Sequence, residues 1–366
     1  MKEPPLTTTA ARHPDRRSFL GLLAAAAVLG PTAAACASGT AGAAGPKDFA
    51  ALAAHTGDPE TGTIKYQGSV GAVTLPELAA DLGYLQDVKL DWVGNTTSGP
   101  QDIQSAATKQ TAVGGAFNGA VIKLAAAGAP ITAVISYYGV DQYAYNAALV
   151  RKGSAIRTAA DLLGKKVGMN TLGAHDEAIL DIYLQRNGLT AAQLKQVEPL
   201  VVPPVNTEES VKLGQIDAGF LGSILRDKAL ATGDVRVLFS DYQLLGNFSA
   251  GTYVFRDDYI EANPNTVRVF VAGVAKAIEW SRSTPVAEVI DRFDAIIAKR
   301  KRNETNDAIK YFKSFGVAGT GGVIKPSEIQ TWIDWLVKQG TLAQGKVTAA
   351  KVYTNAFNPY AKGASS

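Results

Sequence analysis

Between residues 63 and 255 the hydrophobic positions fall into two kinds of run, and the two kinds alternate. Short runs rich in β-branched and aromatic residues read as strands. Longer stretches with apolar positions three and four apart, opened by Pro, Gly, Ser or Asn and closed by Gly, read as helices. Residues 63–66 give a strand, 68–71 a turn and 75–82 a helix, with Pro76 suited to its first turn and Gly83 to its C-terminal cap. Residues 88–93 form a second strand, and 97–100 open a helix that reaches 109. A third strand spans 112–117, Asn118-Gly119 starts a helix that Gly128 closes, and 131–136 is a fourth strand.

The order then recurs. Strand 166–169, turn 170–173 and helix 174–187 come first, with Gly188 as the stop. Strand 197–202, helix 207–213, strand 216–220, a helix opened by Gly222 and strand 235–239 follow. Such alternation predicts an α/β protein whose sheets are mainly parallel and covered by helices on both faces. The recurrence predicts two similar lobes. Residues 145–150 leave the first lobe and 251–255 return to it, so two crossings form a hinge with a cleft between the lobes. Ligands of open α/β sheets bind at the carboxyl ends of the strands. Beyond residue 255 the pattern is helical over 263–280, 285–298, 303–314 and 326–337. Lys299-Arg300-Lys301-Arg302 sits at a helix C-terminal end, where cations are favoured, and reads as a solvated turn.

The N-terminus changes the compartment. Arg16-Arg17-Ser18-Phe19-Leu20 precedes an apolar run, then Ala33-Ala34-Ala35 and Cys36, the only cysteine of the chain. An arginine pair, an apolar run and a small-residue cleavage site predict an export signal over 1–35. It resembles the twin-arginine type, with Cys36 as the acylated first residue of a lipoprotein; an ordinary secretory route is the other option. The expected organisation is a leader (1–35), a flexible tether (36–62), lobe 1 (63–144), lobe 2 with the hinge crossings (145–250), a return to lobe 1 with C-terminal helices (251–345) and a tail (346–366).

Composition narrows the function. The chain carries +3 overall, and removing Lys2, Arg12, Arg16, Arg17, Glu3 and Asp15 with the leader leaves +1. No basic stripe asks for nucleic acid. A single cysteine permits no internal disulfide. The three histidines, His13, His55 and His175, are too few and too scattered for a metal cluster. No nucleophile elbow surrounds Ser223. In Gly94-Asn95-Thr96-Thr97-Ser98-Gly99, Pro100 stands where a phosphate loop requires Lys. No catalytic residue, metal or cofactor is expected.

Several stretches carry a resemblance. They are residues 141–168, which include Leu162-Leu163-Gly164-Lys165-Lys166-Val167-Gly168, then Ala127-Gly128-Ala129-Pro130, Leu213-Gly214-Gln215-Ile216-Asp217-Ala218 and Asn263-Pro264. In this order and spacing they resemble the nitrate/sulfonate/taurine group of bacterial periplasmic binding proteins, the NMT1/THI5-like branch, over residues 63–336. The resemblance implies a type II periplasmic-binding fold. It also implies a monomer that delivers a small ligand to the membrane permease and ATPase of an ABC importer.

Ligand contacts of that group lie in loops after sheet strands. Here those are Gln67, Gly68 and Ser69, then Ser98 and Gly99, then Asn118 and Gly119. In the second lobe they are Asn170, Thr171, Gly173 and His175, followed by Gly222 and Ser223. Singly, each of these also suits a turn or cap. His175 either donates to a ligand oxygen or caps its helix, and Tyr66 and Phe117 belong to an apolar wall or to the core. Helix starts rich in Gly, Ser, Thr and Asn favour a compact anion, such as an aliphatic sulfonate, taurine or nitrate. A thiamine-type pyrimidine, or a biosynthetic enzyme of the THI5 kind, is the alternative.

Overall fold

The computed structural model describes residues 49–96 and 98–361. Arg16, Arg17 and Cys36 lie outside the described residues, so the expectations placed on them belong to the sequence alone.

Among the described residues there are ten strands: β1 (Thr63–Gly68), β2 (Lys89–Asn95), β3 (Val113–Phe117), β4 (Ile131–Val140), β5 (Asn146–Arg151), β6 (Lys166–Met169), β7 (Glu198–Val201), β8 (Ala218–Gly222), β9 (Val235–Ser240) and β10 (Phe248–Arg256). In lobe 1, β1 pairs in parallel with β2. The Ala112 amide donates to the Lys65 carbonyl at 2.9 Å, tying β1 to the entry of β3. Strand β10 lies between β3 and β4 and is antiparallel to both. Lobe 2 has the order β7-β6-β8-β5-β9, with β5 antiparallel to its two neighbours and β6 parallel to its own. The antiparallel member of the β3-β10-β4 sheet and of the lobe 2 sheet is therefore a crossing strand. On either side of it the strands run the same way.

Local chemistry explains most helix ends. Thr74 accepts from the Glu77 amide while Glu77 reaches back to the Thr74 amide, a complete capping box for helix Leu75–Asp81. Helix Pro264–Ser283 buries Val267, Phe270, Val271, Val274 and Ile278, a stripe at helical spacing. That stripe belongs to the lobe 1 core with Ile64, Val134, Ile135 and Phe255. Each such side chain contributes roughly 1.5–3 kcal/mol on burial.

Four expectations are corrected. Strand β4 runs past Ser136 to Val140, because β10 continues beside it with Phe248 opposite Val140. Gly139 permits this approach: a Cβ there would lie 2.3 Å from the Gly316 carbonyl oxygen and 2.4 Å from that of Phe248. Residues 303–314 hold no α-helix, only the 3-10 turn Ile309–Tyr311. Lys301 and Asn303 take left-handed φ values of 49° and 52°, which end the preceding helix Val286–Arg300. The chain there is drawn to the loop after β1, where the Gly71 amide donates to Glu304 at 2.6 Å.

The basic string is only half solvated: Lys299 and Lys301 are exposed, but the two arginines are not. The side chains of Arg300 and Arg302 are only 8% exposed and share Glu77 at 3.0 and 2.7 Å. Finally, part of the expected tether and most of the expected tail are docked. Phe49 is buried, and the Glu60 carboxylate accepts from the amides of Asn265 and Thr266 at the start of helix Pro264–Ser283. At the other end, Ala133 donates to the Val352 carbonyl at 2.9 Å, and Thr354 donates to the Ala133 carbonyl at 2.8 Å, extending the β4 edge.

Candidate functional site

The ends of β3 and β4 and the start of helix Gly99–Ala107 face lobe 2 across a cavity of about 200 Å³. Lobe 1 contributes Gly99, Pro100, Ala116, Phe117, Tyr137 and Tyr138. Lobe 2 contributes Asn146 at the start of β5, Asn170 and Thr171 after β6, and Ala174, His175 and Asp176 at the start of helix His175–Arg186.

The lobe 1 wall is aromatic. Tyr137 stacks on Tyr253 with centroids 4.1 Å apart, and Phe117 meets Trp332 edge-on at 4.6 Å. Gly115 makes the tyrosine stack possible, since a Cβ there would lie 2.8 Å from Tyr253 and 2.9 Å from Tyr137. Under this wall, Asp102 accepts from the Gly115 amide at 2.7 Å, while its other oxygen has no partner; burial pushes its carboxyl up to about 7.

The lobe 2 wall is polar and acidic. Asn146 is its organiser: its amide donates to Asp241 at 3.0 Å, and its Nδ2 donates to Asp176 at 2.6 Å. Burial raises Asp176 to about 6 and Asp241 to about 7, and lowers His175 to about 4. His175 Nε2 lies 3.4 Å from the Asp241 carboxylate but makes no aligned hydrogen bond. With the imidazole neutral, that approach is a polar contact and not an ion pair. The His175 ring lies parallel to Phe117 of the other lobe, centroids 5.2 Å apart.

Helices Gly99–Ala107 and His175–Arg186 both begin at the cavity, and neither N-cap, Ser98 or Ala174, makes a side-chain capping bond. Their first-turn amides and dipoles are therefore directed at whatever occupies the space. The lobes touch at its margin, where the Thr171 hydroxyl donates to the Ser98 hydroxyl at 3.4 Å. No Lys or Arg lines the cavity.

Of the residues expected from sequence, Gly99, Asn170, Thr171 and His175 line the cavity and Ser98 stands at its edge. The others lie elsewhere. Gly68 and Ser69 face Arg302 and Arg300, and Gln67 beside them is half-buried. Asn118 is fully buried and donates to the carbonyls of Ser249 and Glu328, a strut between β10 and helix Pro326–Lys338. Gly119 abuts the Phe117 ring, and the Gly173 carbonyl accepts from Lys123 at 2.5 Å. Gly222 backs onto Asn146, and the Ser223 amide donates to Tyr145 at 3.1 Å. Sequence reading missed Tyr137, Tyr138, Asn146 and Asp176. It also missed Arg226, which is 1% exposed and donates to the carbonyls of Tyr143 and Tyr145 in the first crossing, at 2.8 and 2.6 Å. Among the described residues no group of His, Cys, Asp and Glu is placed to hold a metal ion, and no helix is long and apolar enough to cross a membrane.

The family model described as NMT1/THI5 like matches residues 77–288. No curated protein matches the chain. Among solved structures, the chain is similar to the periplasmic aliphatic sulphonate binding protein SsuA of Escherichia coli, at 24% identity and a TM-score of 0.61 over 81% of this chain and 93% of that one. It is also similar to the periplasmic nitrate-binding protein NrtA of Synechocystis PCC 6803, at 14% identity and 0.65 over 82% and 88%. The desulfurization enzyme DSZB shares the fold at 14% identity and 0.55 over 82% and 99%.

Proposed function

The chain belongs to the NMT1/THI5-like family, and from that premise we propose that it is an extracytoplasmic solute-binding protein for an ABC importer. One observation carries the reading: a cavity walled by both lobes, with the chain crossing twice between them. A solute held there is desolvated and oriented without any covalent step. Two uncapped helix N-termini suit an acidic group, so the occupant is a small solute with an anionic end, such as an aliphatic sulfonate, taurine or a nitrate-like ion. The sulphonate- and nitrate-binding neighbours support that class. The bound form is delivered to a membrane permease driven by an ATPase. Arg16, Arg17 and Cys36 support export and anchoring through an acylated cysteine.

A thiamine-type pyrimidine remains the alternative, favoured by the aromatic wall of Phe117, Tyr137 and Tyr138. The enzymatic reading has less behind it, since His175 is the one histidine at the cavity and Cys36 is the only cysteine of the chain.

A thermal-shift screen of sulfonates, nitrate, carboxylates and aminopyrimidines, followed by small-angle scattering, tests the proposal. A ligand at a hundred times its dissociation constant stabilises the protein by about 2.7 kcal/mol, and its binding should compact the molecule. If no solute moves either the melting temperature or the scattering profile, the solute-binding reading is wrong. Mass spectrometry of the membrane fraction should find Cys36 acylated and first; an unmodified N-terminus beyond it removes the anchor and leaves the binding function standing.

A further inference from the structure

We propose that Asp176 recognises a positively charged nitrogen, so that the solute presents an organic ammonium group to this carboxylate opposite the aromatic wall of lobe 1. The inference rests on the cavity being the solute site and adds a second charge to the ligand. Asp176 lines the cavity, is 5% exposed and takes a 2.6 Å hydrogen bond from Asn146. The same Asn146 holds Asp241, which is fully buried and does not itself line the cavity. No cation among the lining residues answers Asp176, whereas Asp241 feels the charge of Arg226. Arg226 is occupied by Asp227 and by the carbonyls of Tyr143 and Tyr145. Lys123 is directed at the Gly173 carbonyl.

A second observation points the same way. The His175 ring lines the cavity at 6% exposure, and its Nδ1 has no hydrogen-bond partner. A neutral imidazole nitrogen beside a carboxylate is suited to accept from an N–H donor. Opposite stand Phe117, Tyr137 and Tyr138, and aromatic rings attract a cation, more strongly when water is excluded. A carboxylate with aromatic walls is a receptor for ammonium. The start of helix Gly99–Ala107 then holds the acidic end, and the solute class is a small zwitterion.

A carboxylate in the first turn of a helix also gains from the dipole. Glu177 in the same turn serves that purpose without lining the cavity. The dipole alone therefore does not account for Asp176 facing the cavity.

Calorimetric titration of the full chain with matched pairs tests the inference. Taurine is compared with ethanesulfonate, and β-alanine with propionate, each pair differing in the amine. The amine-bearing member of at least one pair should bind, and its partner should bind at least about thirtyfold more weakly, the equivalent of about 2 kcal/mol. Asp176→Asn should weaken the amine-bearing member by a similar factor and leave the melting temperature of the ligand-free protein close to wild type. Equal binding within every pair, or undiminished affinity in a folded Asp176→Asn, overturns the ammonium inference while leaving solute binding in place. Should Asp176→Asn not fold, the pairs on the wild-type chain decide alone. If neither member of either pair binds while another solute from the screen does, the zwitterion class is wrong; if nothing binds at all, both readings fall.

Discussion

His175 and Asp176 are adjacent, buried in the same place and shifted in opposite directions by the same cause. Burial disfavours the charged form, so the imidazole falls to about 4 and the carboxyl rises to about 6. A cationic ligand needs the carboxylate ionised. Its affinity should be level in mildly alkaline buffer and fall below about pH 6 by about tenfold per unit. His175 stays neutral through that range. Tyr138 is held protonated by its own burial, and Asp241, raised to about 7, is the other titrating group facing Asp176 through Asn146. Calorimetry with the amine-bearing probe from pH 8 down to 5 measures this, and a flat profile would remove Asp176 from the binding step. Stability of the ligand-free protein moves the other way. Asp102, Asp176 and Asp241 keep their protons in the folded state where the unfolded chain has lost them. Their contributions therefore shrink as pH rises from about 4 towards 7. His175 offsets part of this, because the unfolded chain holds its proton up to about 6.5.

Side chains of this kind mark the limit of what one-dimensional reading reaches. Asn170, Thr171 and His175 were visible because turns and helix starts have local chemistry. Tyr137 and Tyr138 were not, because two aromatics beyond an apolar strand look like core until β10 is seen to carry β4 further. Asn146 and Asp241 become one unit only through a contact across 95 residues.

Elements were legible where their ends are local. Gly83, Gly128 and Gly188, expected as helix stops, take φ values of 72°, 93° and 82°, the left-handed region open to glycine. The segment 303–314 was misread because its ends are set from a distance. Helix Val286–Arg300 delivers Arg300 to Glu77 and Glu304 and to the carbonyls of Ser69 and Ala72. Arg302 follows, 4.4 Å from the Trp92 ring. This cluster closes the loop after β1. Arg300→Met leaves Glu77 with Arg302 as its one cation and Glu304 without its main partner. It should cost about 3 kcal/mol, in the range for breaking a buried ion pair. Urea unfolding reads this as a lower midpoint; an unmoved midpoint would mean the carboxylates are solvated without the arginine.

At the scale of the whole molecule, the two lobes are unequal in one respect. The lobe 2 sheet, β5 to β9, comes from an uninterrupted stretch of chain. The lobe 1 sheet does not: its strand β10, between β3 and β4, is made only after all of lobe 2. During synthesis β3 and β4 must therefore wait side by side with a gap between them, each offering an unpaired edge that invites wrong partners. Lobe 2 is expected to mature first and lobe 1 to close around the returning strand. In a chain stopped at Gly246, pulsed hydrogen exchange should find β5 to β9 protected while β3 and β4 exchange freely; protection of β3 and β4 in that truncated chain would contradict the order. On the proposed export of this chain, the consequence reaches that step. Before residue 256 has left the ribosome there is no folded protein for a twin-arginine route to accept, whereas a threaded chain has to settle the same order of assembly on the far side of the membrane.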